Sequence, residues 1–155
     1  MDVTDIYTDS FTFALSPNMW ARLDAIRDKD GLPKARVSII GDRGSIEFDY
    51  NSWCAFYAHK EVILAALAGR KQESRIDFAD ETYNFIIRTN SAAKGAIYFY
   101  QQNVKDRFTT HLLLAETAAK TLFGLNDRIN RHFFKVLLRN SLSFTCPTFF
   151  PLNRF

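Results

Sequence analysis

The chain has 155 residues, of which 47% are hydrophobic and 24% are charged, and its formal net charge is +3. This length suits one domain, or two small halves that share a core, and the composition excludes a largely disordered chain. No segment approaches the length of a membrane-spanning apolar helix, and the first residues lack the pattern of a signal peptide. We therefore expect an intracellular protein, whether cytoplasmic, nuclear or in a viral factory, that does not enter membranes.

The first half of the chain, residues 10–69, has the pattern of strands that lead into a helix. Ser16 and Pro17 are typical of a helix N-cap and first helical position, and large apolar residues follow three apart, so the pattern predicts a helix over Ser16–Arg27. Asn51 or Ser52 is a typical N-cap for a second helix. The predicted elements are a strand Phe11–Leu15, the helix Ser16–Arg27, a β-hairpin of Arg36–Ile40 and Ser45–Asp49 that turns at Gly41–Gly44, and a helix that ends near Ala68.

The second half, residues 75–139, has four segments of strand pattern followed by one long amphipathic helix. Apolar positions three or four residues apart predict this helix over Glu116–Arg139. Segment 140–155 contains prolines, cannot continue the helix, and is predicted to be an aromatic tail that packs on its own domain or on another subunit. The predicted strands are Arg75–Ala79, Tyr83–Arg88, Ala96–Gln101 and Phe108–Leu114.

The two halves repeat each other at a constant offset. When Ser45–Leu67 is aligned with His111–Phe133, residue class agrees without a gap at every position that the helix face needs, although identity is almost absent. A duplication predicts an α+β fold with two antiparallel β-sheets, each followed by a packing helix. The alternative is that any two amphipathic strand–helix units would match as well. The predicted organisation is a single domain 1–139, with halves 10–69 and 75–139, and a tail 140–155.

Strands that carry aromatic rings beside basic residues have the features that single-stranded nucleic-acid binding requires. Bases stack on rings for roughly 1–3 kcal/mol each, while Lys and Arg hold phosphates. Tyr98 and Tyr100 share one strand face because side chains alternate along a strand. The alternative is that the rings are core and the basic residues are a solvated edge. The candidate nucleic-acid-binding residues are Lys34, Arg36, Arg43, Arg75, Tyr83, Phe85, Arg88, Lys94, Tyr98, Tyr100, Lys105 and Arg107.

A second basic stripe follows the last predicted helix at three- and four-residue spacing, beside the apolar positions. Its ordinary explanation is a solvated helix face, and the other is a surface that follows phosphates or binds a partner. The stripe consists of Lys120, Arg128, Arg131, Lys135 and Arg139.

The order of elements over residues 11–138 resembles that of the PC4-like and Whirly single-stranded DNA-binding proteins. Strand Ser45–Asp49 leads through a short polar step into a helix with an early Trp53, as in PC4-like chains, and strand His111–Leu114 likewise leads into Glu116. The resemblance implies single-stranded DNA binding on sheet surfaces, and homodimers or tetramers. The helix expected at Ser16–Arg27 departs from the strand of a Whirly half, and the lysine-rich Whirly signature is absent.

No residue pattern marks a catalytic, metal or cofactor site. The histidines are isolated, the two cysteines lack zinc-ligand spacing, and the acidic group Asp77, Asp80 and Glu81 suits a solvated turn better than a Mg²⁺ site. We therefore expect a protein without catalysis or cofactor that binds single-stranded DNA or RNA, DNA being favoured, with low sequence specificity. The alternative is a structural or interaction protein, viral proteins included, that oligomerises through its aromatic surface and tail.

Overall fold

The computed structural model describes residues 10–27, 31–69, 74–89 and 95–144. These residues form the α+β fold that the repeat predicts, with two antiparallel sheets that are each followed by helices. The strands are β1 (Phe11–Ser16), β2 (Met19–Arg27), β3 (Pro33–Ile40), β4 (Ser45–Phe48), β5 (Ser74–Ala79), β6 (Tyr83–Thr89), β7 (Ala96–Asn103) and β8 (Thr109–Ala115). The helices are α1 (Tyr50–Ala58), α2 (Lys60–Leu67), α3 (Glu116–Gly124) and α4 (Asn126–Phe144). Strands β1 to β4 form sheet A and strands β5 to β8 form sheet B, each in chain order.

The segment that follows β1 is a strand, and the helix predicted over Ser16–Arg27 is wrong. Ser16 pairs with Met19 across a two-residue turn, and β2 runs back antiparallel to β1. Alternate residues from Met19 to Ala25 are buried, whereas Trp20 is 38% exposed. The prediction failed because the large apolar residues here are three apart, as on a helix, while the alanines that complete the period-two pattern carry little hydrophobic signal.

Each of the two predicted long helices is a pair of helices, and the breaks fall at equivalent positions of the repeat. With the halves aligned, α1 and α3 begin and end at matching positions, and α2 and α4 also begin at matching positions. Helix α1 is capped by Asp49, rather than by Asn51 or Ser52, since the Asp49 carboxylate accepts from the Ser52 amide at 2.8 Å. In return, Ser52 Oγ accepts from the Asp49 amide at 3.0 Å, which completes a capping box. Helix α4 continues into the segment predicted as tail, and residues 145–155 lie outside the described chain.

The helices of each half pack mainly on the sheet of the other half. Helices α3 and α4 contact β1, β2 and β3, while α1 and α2 contact β5, β6 and β7. Where α1 of the first half contacts α4 of the second, Trp53 Nε1 donates to Asn126 Oδ1 at 2.9 Å. On sheet A, Nε2 of His132 lies 2.7 Å from the Asp24 carbonyl oxygen of β2. Each half therefore covers the apolar face of the other.

A continuous aromatic core joins the two sheets. Phe48 of sheet A stacks on Phe85 of sheet B with ring centroids 5.6 Å apart and planes 3° apart. The ring centroid of Phe56 in α1 lies 5.2 Å from that of Phe99 in β7 and 5.1 Å from that of Phe123 in α3. Rings of this size dominate the energetics of a core, so both halves depend on the same cluster.

Candidate nucleic-acid interface

The face of sheet B opposite the core carries alternate residues of its four strands, most of them exposed. We call it the outer face of sheet B. Two neighbouring rows cross this face and contain its aromatic and basic residues. The first row is Arg75, Arg88, Tyr98 and Leu113, and the second is Asp77, Ile86, Tyr100 and His111.

Three rings form a ladder on this face. Tyr98 and Tyr100 stack with centroids 6.4 Å apart and planes 18° apart, and His111 lies 5.9 Å from Tyr100. Beside them, Leu113 is 47% exposed. Tyr98 and Tyr100 are partly exposed and His111 is exposed, so these aligned rings give a surface on which planar groups can stack.

Arginines stand beside the ring ladder on the β5–β6 side. Arg88 is exposed and pairs in register with Tyr98. Arg75 donates to Asp77 Oδ1 at 2.8 Å, and this hydrogen bond and the charge of Asp77 raise the pKa of Arg75. Because both partners of this ion pair are more than half exposed, the pair is weak and Arg75 can exchange Asp77 for a phosphate.

The first half of the chain supplies a cation to the other side of the ladder. The β3–β4 turn, closed by the Gly41 amide donating to the Gly44 carbonyl oxygen at 2.9 Å, carries Arg43. A Cβ atom on Gly44 would lie 2.8 Å from the His111 carbonyl oxygen, so only glycine lets this turn approach β8 so closely. Thr110 Oγ1 also donates to the Ser45 carbonyl oxygen at 2.7 Å. Both contacts hold Arg43 beside the outer face of sheet B.

The turn and the sheet enclose a groove of about 460 Å³. Its walls include Asn18 and Arg43 from the first half, and Tyr98, His111 and Leu113 from the second. The groove therefore combines stacking surface with a guanidinium group, which are the two features that a nucleotide needs.

Lys105 and Arg107 lie in the β7–β8 turn, at the opposite end of β7 from Tyr98. Asn103 Oδ1 accepts from the Lys105 amide at 2.8 Å, and Gln102 Nε2 donates to the Arg107 carbonyl oxygen at 3.3 Å. Arg107 has φ +65°, which is unusual for a residue with a side chain. Both basic side chains are exposed, so they extend the cationic border of the outer face.

Lys34 and Arg36 lie on sheet A, away from the ring ladder of sheet B. Arg36 donates to Asp24 at 2.8 and 3.2 Å and to Glu47 at 3.2 Å. Burial lowers the Arg36 pKa, but the hydrogen bond to Asp24 and the negative charges of Glu47 and Asp24 together raise it by more, so the net shift is upward. The positive charge of Arg36 is therefore balanced by acidic side chains within the protein.

Tyr83 and Phe85 lie on the core face of sheet B. Phe85 is 0% exposed, so its predicted role in stacking bases is wrong: the period-two pattern does not reveal which face is buried. Tyr83 is half-buried, and its hydroxyl donates to Glu47 at 3.3 Å. Burial and the charge of Glu47 raise the pKa of Tyr83 to about 12. Lys94 lies outside the described residues.

Sequence reasoning missed three contributors to this face, namely His111, Leu113 and Gly44. His111 is isolated in the sequence and joins the ladder only because the β7–β8 register places it opposite Tyr100. The role of Gly44 arises from a contact between the halves, for which the sequence carries no local signal.

The acidic group near the β5–β6 turn has a structural role. Asp80 Oδ1 accepts from the backbone amides of Thr82 and Tyr83 at 2.8 and 2.7 Å. Over the described ranges, no cluster of His, Cys, Asp and Glu is placed to hold a metal ion. Within the same residues, every helix is too short or too polar to cross a bilayer.

The fold and this face define an α+β protein whose second sheet presents aromatic rings bordered by arginines. No family model matches the sequence, and no curated protein matches it. The chemistry of its own surface is therefore the basis for assigning a function.

Proposed function

We propose that this protein binds single-stranded nucleic acid, DNA in preference to RNA, on the outer face of sheet B and catalyses no reaction on it. The observation that carries the proposal is the alignment of Tyr98, Tyr100 and His111 on an accessible face, with Arg43 and Arg88 on either side. The resemblance to PC4-like and Whirly proteins implies the same class of ligand, and it favours DNA and a homodimer or tetramer.

In this proposal the rings stack on bases while the basic border neutralises phosphates. Stacking requires unpaired bases, because duplex bases already stack on each other, and it discriminates little between bases because each has a π-face. From Tyr98 to Asn103, where β7 ends, the chain advances by roughly 17 Å at the rise of a strand. A face of this length suits roughly four nucleotides, which is at the low end for small binding modules.

Fluorescence anisotropy with a labelled single-stranded oligonucleotide tests this function. If roughly four phosphates are neutralised, the logarithm of the binding constant falls with the logarithm of salt with a slope of about −3. We expect Tyr98→Ala and Tyr100→Ala each to weaken binding by roughly 1–3 kcal/mol, or about 5- to 150-fold. The matched control is Trp20→Ala, since Trp20 is a partly exposed ring on the outer face of sheet A and should leave affinity unchanged.

Three outcomes would count against parts of the proposal. Absence of binding at low salt would overturn the function itself. Duplex that competes as well as single strand would remove the stacking mechanism, because phosphate contacts alone would then account for affinity. Tighter binding of RNA of the same sequence would reverse the preference for DNA.

A second candidate function is assembly of several copies, and α4 supplies the observation that favours it. The part of α4 beyond Phe133 has no counterpart in the first half, and it leaves Leu137 58% exposed on the side of the helix that faces Tyr50, which is 40% exposed. Leu137 and Tyr50 line a groove of about 320 Å³. A second copy of the same helix is the simplest cover for such a patch, because two identical patches are self-complementary about a two-fold axis.

Light scattering after size-exclusion chromatography tests the assembly. We expect Leu137→Glu to give monomers, because the carboxylate would be buried in an apolar interface. The matched control is Leu113→Glu, which places the same change on the outer face of sheet B. This variant should keep the mass of the wild-type assembly in light scattering, and it should weaken nucleic-acid binding. A wild-type chain that is monomeric at high concentration would contradict the assembly.

A further inference from the structure

A second basic surface lies in a groove of about 610 Å³ between β1 and α4. Its apolar walls include Phe11, Phe134 and Leu138, which are 50%, 55% and 61% exposed. Apolar side chains that are exposed to this extent and line one concave surface mark a site that another segment covers.

The groove is also cationic. Arg128 lies over the Phe13 ring at 5.3 Å, and Arg131 and Lys135 follow at helical spacing along α4. In the described part of the chain, none of these three cations forms an ion pair with an acidic side chain. The complementary occupant is therefore a segment that carries both carboxylates and apolar side chains.

The chain itself contains such a segment immediately before β1. Residues 1–9 contain Asp2, Asp5 and Asp9 and no basic residue, and the apolar Val3, Ile6 and Tyr7 lie between the aspartates. The alternative occupant, residues 145–155, carries Arg154 as its sole charged residue, so its charge has the wrong sign for this groove.

The segment is also in the right place. Phe11 lines the groove, so the acidic residues are joined directly to its edge. Nine residues can reach up to about 30 Å, whereas α4 advances only about 15 Å from Arg128 to Leu138.

We propose that residues 1–9 dock into the groove between β1 and α4 of the same chain. Their aspartates pair with Arg128, Arg131 and Lys135, and their apolar side chains cover Phe11 and Phe134. The docked segment neutralises this second basic surface toward polyanions. The proposal does not depend on what sheet B binds, because it concerns a different surface.

Paramagnetic relaxation in NMR tests the docking. A nitroxide is attached to Thr4→Cys in a chain in which Cys54 and Cys146 are serine, which leaves the three aspartates intact. We expect the amide signals of residues 131–138 to lose most of their intensity, while those of residues 98–100 keep theirs. Raising the salt concentration should reduce the effect, because exposed charges are screened over a few ångströms at high ionic strength.

Charge reversal supplies the matched pair of variants. Arg131→Glu with Lys135→Glu should reduce the relaxation enhancement in α4 several-fold, whereas Lys105→Glu with Arg107→Glu makes the same net change elsewhere and should leave it unaltered. All four side chains are exposed, so the variants should fold. Undiminished signals for residues 131–138 in the labelled protein would overturn the proposal. So would an effect that the reversal leaves unchanged, or one that arises only between molecules in a mixture of spin-labelled and isotope-labelled chains.

Discussion

The outer faces of the two sheets use their charges in different ways. On sheet A, the Asp24 carboxylate is 0% exposed and contacts both Arg22 and Arg36. At the outer face of sheet B, Arg88 of β6 and Arg43 of the β3–β4 turn form no ion pair within the residues that the structure describes, and they lie beside the ring ladder. The duplicated architecture thus has one face on which a buried carboxylate pairs with arginines. On the other face Arg75 pairs with Asp77 in an exposed ion pair, while Arg43 and Arg88 have no acidic partner in the described chain. Similar backbones therefore do not imply similar surfaces, and a binding face has to be assigned from its ion pairs.

The largest effect is expected where the two sheets meet. Phe85→Ala removes the ring that stacks on Phe48, and we expect a loss of about 3–5 kcal/mol in the free energy of unfolding. Urea unfolding should show Trp20 of sheet A and the buried Trp53 reporting the same transition, since both sheets share one core. Tyr98→Ala, on the opposite face of sheet B, should cost less than about 1 kcal/mol. Equal losses in the two variants would contradict the assignment of the faces.

The next largest effect contrasts one aspartate on each sheet. Asp24→Ala leaves two arginines without their buried counter-charge, and we expect it to cost roughly 2–4 kcal/mol. Asp77→Ala removes a carboxylate from an exposed ion pair with Arg75 and should change stability by no more than about 1 kcal/mol. Thermal and urea unfolding of both variants would measure the difference. A small cost for Asp24→Ala would show that sheet A does not depend on internal compensation of its charges.

The smallest effect is a pH dependence that we expect for the packing of α4 on sheet A but not for the packing of α2 on sheet B. Burial lowers the pKa of His132, and the positive charges of Lys135 and Arg139 lower it further, against the opposing effect of Asp24. A lowered pKa in the folded state contributes stability above the unfolded value of 6.5, and this contribution is lost as pH falls below it. The equivalent position in α2 is Ala66, which does not titrate.

The prediction is therefore that acid weakens the contact between α4 and sheet A. In urea unfolding at about pH 7.5 and about pH 5, wild type should lose more stability than His132→Gln, which keeps a donor for the Asp24 carbonyl but cannot take up a proton. If the two chains respond equally to pH, the titrating group lies elsewhere.

Apart from β2, which was predicted as a helix, the strand–helix order was predictable because it depends on local periodicity. The match between Ser45–Leu67 and His111–Phe133 extends to the helix breaks, although periodicity alone did not reveal them. Contacts between distant segments were not predictable: the placement of His111 opposite Tyr100, the approach of Gly44 to β8 and the exchange of helices all depend on strand register and packing. Alternation along β6 and β7 has the same limit, because it separates two faces without indicating which one is buried.

The exchange of helices between the halves makes this chain the covalent equivalent of a dimer. Each half has an apolar sheet that the other half covers, so the association that two separate halves would need is replaced by a connection through residues 70–73. The effective concentration of one half for the other is then set by the linker and not by the amount of protein. Folding of the pair is consequently independent of dilution. Because the two halves of one chain need not have the same sequence, unlike the subunits of a homodimer, their outer faces can differ.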